Sequence, residues 1–252
     1  MERRENGNLL KIRPGLRNQN GEWKAHGVTE QFDESGVLWV ELPYDSGRIH
    51  GIWKQYHANG KLHQEIPYQY GQKNGVENVQ DSLGNLQRQI PWRRNKKWGT
   101  YREWHQGDWL KKVITYKNDL RQGLYREFTS EGMQLEAEYQ AGFLNGSYST
   151  WHEGGGKKLK GFFENGKRQG VWLEWDDKGI LRREERYVNG DKEGSWKLWY
   201  ANQQLHLQEN WMENKQHGIR LLYSKYGKLL TEQRFHLGKC VTGCQSQISP
   251  LE

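Results

Sequence analysis

Apolar residues are scarce in this chain. Only 34% of its 252 residues are hydrophobic and three are methionine, so there is little with which to fill a thick, close-packed interior. No apolar run approaches the roughly eighteen residues that a membrane-crossing helix needs. The opening residues MERRENGNLLKIRPG lack the apolar stretch and small-residue cleavage site of a secretory signal, and the cytoplasm is the expected compartment. Two cysteines are no disulfide framework in a chain of this size, in keeping with a reducing environment. The motifs of chemistry are missing too: no phosphate loop, no serine nucleophile elbow, no carboxylate pair that stands apart from the charged turns. His236, Cys240 and Cys244 form H-x3-C-x3-C, three potential ligands at a spacing foreign to common zinc sites, so neither metal nor cofactor is expected. These absences argue against an enzyme and for a protein that binds.

Glycine and aromatic residues are abundant instead. A Gly falls at 27, 51, 75, 99, 123, 146, 170, 194 and 218, spaced by 24 residues with one interval of 23, so the chain repeats one unit nine times. Five positions after that Gly stand Phe32, Tyr56, Gln80, Trp104, Phe128, Trp151, Trp175, Trp199 and Tyr223. Two positions after it stand Trp53, Tyr101, Tyr125, Tyr148, Trp172 and Trp196, with Thr29, Glu77 and Arg220 breaking the column. A third ring column holds Tyr44, Tyr68, Trp92, Tyr116, Tyr139, Phe163, Tyr187, Trp211 and Phe235, and seven copies carry Leu eleven positions in, from Leu38 to Leu229. One hydrophobic residue per layer is what stacked repeats need, so these columns are the expected core. Each unit reads as a β-hairpin, because short segments rich in aromatic and branched residues alternate with Gly-bearing turns and no helical period runs through them. DESG, HANG and DDKG suit a type I turn closed by a left-handed Gly. His57, His105 and His152 share the turn's first position with Asp33, Asp81 and Asp176, which marks a turn preference rather than a ligand set.

The expected fold is all-β: an elongated, twisted antiparallel sheet, solenoid-like, of nine stacked hairpin repeats of 24 residues. Residues 1–26 read as an irregular N-terminal cap, 27–242 as the repeats, and 243–252 as a tail whose last residues, Leu251 and Glu252, resemble a cloning scar.

The pattern G-x-W-x-x-Y-x-x-x-G-x-L, a second aromatic and then G-x-x-x-G resembles the variant MORN repeat over residues 27–242. Bacterial proteins built from this variant resemble, as a group, antitoxins and immunity proteins, while other MORN proteins are scaffolds or bind phospholipid head groups. The resemblance therefore implies a binding role and leaves its object open.

The third copy departs most from the template. Glu77 and Gln80 replace rings, and a basic segment follows. Nine aromatics lie outside the columns: Trp23, Trp39, Tyr70, Trp98, Trp109, Phe143, Phe162, Tyr200 and Tyr226. Of these, Trp98 and Trp109 flank the basic run, and exposed Trp and Arg commonly carry binding energy. The candidate partner-binding residues are Arg88, Arg93, Arg94, Lys96, Lys97, Trp98, Trp109, Lys111 and Lys112. With 38 basic against 31 acidic residues and a net charge of +7, an acidic surface is the natural partner. The expected partner is a cognate protein toxin with an acidic face, bound 1:1 by a chain that is monomeric alone, with no small-molecule substrate. Nucleic acid and anionic membrane are weaker readings, because acids are spread through every repeat and the column rings are needed for packing.

If the hairpins stack without closing, nine of them at two strands each and about 4.8 Å per strand extend roughly 85 Å. Small-angle scattering should then give a radius of gyration well above the roughly 18 Å of a compact chain of this length. A compact profile would remove the solenoid reading.

Overall fold

The computed structural model describes residues 1–3, 9–106 and 109–244, with no helix among them. The tail beyond Cys244, including Leu251 and Glu252, lies outside the described residues. The chain divides into two units, Met1–Gly123 and Leu124–Glu252.

Among its described residues the first unit contains four repeat hairpins. Gly27–Phe32 pairs with Leu38–Asp45, Gly51–Tyr56 with Leu62–Gln69, Gly75–Gln80 with Leu86–Arg93, and Gly99–Trp104 with Leu110–Lys117. Their register is constant. Each opening Gly faces the third-column ring (Gly51↔Tyr68, Gly99↔Tyr116), and a one-residue shift then sets the first-column residue against the Leu (Tyr56↔Leu62, Trp104↔Leu110). The second unit repeats the arrangement, with Gly170↔Tyr187, Gly194↔Trp211 and Gly218↔Phe235. The antiparallel hairpin sheet expected from the repeat is the fold observed.

The turn inside each hairpin has the expected form. Gly36 has φ 87° and donates its N–H to Asp33 O at 3.2 Å, while the Asp33 carboxylate accepts from the Ser35 and Val37 amides, both at 2.9 Å. The histidines at this position gain a further role. His57 Nε2 lies 3.1 Å from Gln80 O and His152 Nε2 lies 2.9 Å from Trp175 O, carbonyls of the following repeat. A turn residue therefore also ties one repeat to the next.

The connection between repeats is a second turn that sequence reading overlooked. Ser46–Gly47, Tyr70–Gly71, Arg94–Asn95, Asn118–Asp119, Asn165–Gly166, Asn189–Gly190 and Glu213–Asn214 have positive φ at both residues, the geometry of the two-residue I′ hairpin turn. Several of them contain no Gly, so no fixed letter marked the position. The second residue's amide reaches back one repeat, as in Gly71 N–H to Ile49 O at 2.7 Å and Asn95 N–H to Lys73 O at 3.0 Å.

Between these turns and the next hairpin the strands open. Val40↔Gln55 and Glu41↔Lys54 are the rungs joining the first two repeats. Beyond them Pro43 seats against Gly51, where an added Cβ would meet the proline ring at 3.2 Å and φ is 113°. The Pro43 carbonyl accepts from His50 N–H at 3.0 Å. Its nitrogen faces the same side, into the gap, so the missing N–H removes no ladder bond. Pro67 and Pro91 repeat the contact at Gly75 and Gly99.

Pro14 does so at Gly27, and Leu9–Ile12 supplies the same two rungs, Lys11↔Gln31 and Ile12↔Glu30. The segment expected as an irregular cap is thus partly a truncated repeat. A hairpin, Gly15–Arg17 with Trp23–Ala25, replaces its two-residue turn.

Side chains alternate across a strand, so each unit has an aromatic face and a reverse face. The column two residues after the opening Gly is the most buried part of the aromatic face. It includes Trp172 and Trp196 in the second unit, and Thr29 and Glu77 in the first. Tyr148, Phe163, Trp172, Tyr187, Trp196 and Trp211 form a chain of rings with successive centroids 4.9–6.4 Å apart, mostly tilted or edge-on. Cations two residues before the opening Gly cover the rings. Lys73 lies over Trp92, Lys97 over Tyr116, Arg168 over Trp172 and Tyr187, and Lys192 over Trp196 and Trp211, at 4.2–5.2 Å. Glu77 enters the ring column because its carboxylate accepts from Lys73 Nζ at 3.0 Å, Trp92 Nε1 at 2.8 Å and Gln64 Nε2. A buried acid so satisfied makes the third copy a variation of the packing, not a gap in it.

Gly161 tests how tightly the rings are set, because a Cβ there would fall 2.2 Å from the Trp172 indole. Gly161→Ala should destabilise the chain by about 1–3 kcal/mol, the usual cost of overpacking, in urea unfolding followed by tryptophan fluorescence. Gly154→Ala, with nothing within 4 Å and no left-handed φ, should leave the midpoint unchanged. Equal midpoints for the two variants would show that the indole moves freely aside.

Candidate functional site

The reverse face of the first unit carries a row of exposed aliphatic residues. Val28, Ile52 and Val76 are 45–49% exposed and stand directly across from Pro43, Pro67 and Pro91. They follow the opening Gly by one position, so the alternation that buries the ring column turns them outward. The row recurs in three successive repeats and adjoins the I′ turns.

Positive charge gathers along those turns. Arg93 and Lys96 pair across the Arg94–Asn95 turn, and Asp45 and Arg48 across the Ser46–Gly47 turn. Strand alternation puts Arg48, Arg93 and Lys96 on the reverse face, with Arg94 at the turn itself, φ 50°. All four are exposed. Trp98, the residue before Gly99, donates its backbone N–H to Pro91 O at 3.0 Å. Its ring is half-buried between Arg93, 4.9 Å away, and Lys117, 5.9 Å away.

The candidate residues thus separate into three groups. Arg93, Arg94, Lys96 and Trp98 meet at the I′-turn edge. Lys97 belongs to the aromatic face, over Tyr116. Arg88 and Lys112 lie on that face as well, each across from Glu103, and Lys111 bonds the same carboxylate at 2.9 Å. Burial raises the Glu103 pKa, but the hydrogen bonds from Lys111 and Tyr101 outweigh it and leave the carboxyl below its ordinary value. Tyr101 is correspondingly pushed up to about 12 by burial and by its bond to Glu103. Trp109 sits at the far end, stacked on His105 with centroids 3.9 Å apart. The eight-residue strand Leu110–Lys117 separates it from Trp98 by roughly 25 Å at about 3.3 Å per residue. The two tryptophans flank the basic run in sequence but do not share a surface patch.

Sequence reasoning missed Arg48 and the Val28–Ile52–Val76 row, and noted Tyr70 only as one of the aromatics outside the columns. The row was legible as a fifth column, one position after the Gly. Arg48 was not, since only the stacking of repeats brings it near Arg93. Cys240 and Cys244, read from sequence as no disulfide framework and as fitting a reducing compartment, form a disulfide, so neither sulfur is a thiolate ligand beside His236.

The profile of the MORN repeat variant matches residues 25–46, 49–70 and 168–189. Each match begins two residues before an opening Gly and ends on the first residue of an I′ turn, so it coincides with one structural repeat. Three of the repeats thus match the MORN repeat variant, and the other hairpins share their register. No curated protein matches the chain. Among solved structures it is similar to a chain in the crystal structure of TcdB2-TccC3-Cdc42, at 11% identity and TM-score 0.19, covering 92% of this chain and 16% of that one. A chain in the crystal structure of TcdB2-TccC3 is matched at 11% identity and TM-score 0.18, covering 92% and 17%. The chain spans about a sixth of the length of both.

Arg94 occupies a turn position that Asn suits better, since a left-handed φ is costly for a long side chain and mild for Asn. Arg94→Asn should therefore keep the fold and raise unfolding free energy by up to about 1 kcal/mol while removing one charge from the edge. A clear loss of stability in chemical denaturation would mean that the Arg94 side chain holds the turn.

Proposed function

We propose that this chain of MORN-variant repeats is a non-catalytic binding module of the immunity or antitoxin kind, acting in a bacterium. It docks the reverse face of its first unit against an acidic surface of a cognate protein toxin and blocks that toxin by steric exclusion. The observation that carries the reading is the juxtaposition of an exposed aliphatic row, Val28, Ile52 and Val76, with a basic edge formed by Arg48, Arg93, Arg94 and Lys96. Apolar area beside charge of one sign is the composition of a docking surface with a preferred partner polarity. A base-stacking role draws less support, because the rings of the aromatic face are packed on one another and covered by the chain's own cations.

Mixed with the product of the adjoining reading frame, the chain should form a 1:1 complex and protect that protein's target, with protection saturating near equimolar amounts. Protection at substoichiometric amounts, with turnover, would reveal an enzyme instead. Absence of a complex would remove the immunity reading.

A further inference from the structure

A groove of about 530 Å³ runs along the I′ turns of the first unit, lined by Arg48, Gln69, Tyr70, Gln72, Asn74, Arg93 and Arg94. Its ends and middle come from three successive turns. Arg48 follows the Ser46–Gly47 turn, Tyr70 forms the next, and Arg93 and Arg94 enter the third. At two strands per repeat and about 4.8 Å per strand, the backbones at the two ends are roughly 19 Å apart, with Tyr70 between them. Tyr70 is 61% exposed, has φ 48° and is braced by the His50 ring at 4.7 Å.

No acid lines this groove. The carboxylate closest in register is Asp45, across the turn from Arg48, and it is engaged elsewhere, by His26 Nδ1 at 3.5 Å and Ser46 Oγ at 3.0 Å. The amides add donors. Asn74 Nδ2 bonds Gln69 Oε1 at 2.9 Å, which consumes that acceptor and leaves the Gln69 amino group available. Two other grooves mix signs: Arg183 and Lys192 share one with Glu185 and Glu209, and Lys11 and Arg13 share another with Glu2, Asp33 and Glu34. Three guanidinium groups without a carboxylate are a site for oxyanions. Their separation along the sheet, with a ring between, suits several carboxylates on an extended chain better than a single compact anion.

We propose that this groove binds an extended acidic segment of the protein partner, with carboxylates at Arg48 and at Arg93 and Arg94 and an intervening side chain lying on Tyr70. The proposal rests on the reverse face being the docking surface, and it names the part of the partner that this face reads. Recognition of acidic motifs by arginine clusters supplies specificity through paired N–H donors and an association rate that falls with salt.

The probe is a fluorescein-labelled heptapeptide with three glutamates on each side of one tyrosine, followed by anisotropy with the full chain. Binding should weaken at least ten-fold in the double variant Arg48→Gln, Arg93→Gln and also weaken on raising salt. Lys178→Gln, in a turn of the second unit, should leave it unchanged. Arg94→Asn should weaken it without loss of thermal stability, which separates binding from folding. Equal affinity for wild type and the double variant would overturn the proposal, as would no measurable binding. So would displacement of the peptide by micromolar inorganic phosphate, which would make the groove a simple oxyanion site. Binding to phosphatidylserine vesicles with the peptide excluded would overturn it in favour of a lipid surface. If the adjoining-frame protein forms its complex but the double variant binds it normally, the groove is wrong and the docking reading stands. If no complex forms while the peptide binds as expected, the groove stands and the immunity reading falls.

Discussion

Within each unit, no helix among the described residues covers the aromatic face, so the rings must be covered from within the strand layer, and the rest of the packing follows from that requirement. The rings of the second unit tilt onto one another, and Arg168 and Lys192 lie over them at 4.2–5.2 Å. The aliphatic stem of each cation excludes water from the ring while its charge stays at the surface. Because the covering residue sits two positions before the opening Gly, it is delivered by the connection from the preceding repeat. Packing is therefore shared between neighbours, and a repeat in isolation would lack part of its cover.

The same arrangement takes up part of the chain's excess of basic residues. Lys73 and Lys97 are used by the fold on the aromatic face, and Lys111 is used by Glu103. Arg48, Arg94 and Lys96 instead stand exposed at the I′ turns of the first unit, where side chains leave the sheet. Net charge overstated the reactive surface, and position within the repeat decides which cations face a partner.

That distinction also sets what was legible in the sequence. The hairpin, its length and its Gly-closed turn were readable because each depends on residues close in the chain: Gly36 and Asp33 specify their turn by themselves. The I′ turns were not, because Arg94–Asn95 and Glu213–Asn214 reach the same geometry with different letters. The column reading worked even where the chemistry changed, since Glu77 occupies a ring position and is buried there by Trp92, Lys73 and Gln64. Adjacency in sequence misled at Trp98 and Trp109. They bracket one hairpin's opening strand and inner turn, so a linear cluster of features became two opposite edges once the strand was extended.

Function, then, is set by which positions the repeat leaves unconstrained. The opening Gly, the rings and the covering cations are fixed by register and mutual contact, and changing them perturbs the stack. The position one after the Gly, the residues flanking the I′ turn and the first turn residue have no such duty, so their side chains are free to diverge between copies. In the first unit three of those positions carry aliphatics and the turn edge carries arginines and a tyrosine. At the corresponding turns of the second unit stand Asn165, Asn189 and Glu213, two of them good turn formers and none of them cationic. The second unit keeps exposed aliphatics at Leu124, Val171 and Ile219 and the lysines Lys167 and Lys215, so what sets the first apart is the arginines and tyrosine of its turns. The repeat thus separates stability from recognition along the strand: rings and glycines hold the register, and the turn edge presents what can be recognised.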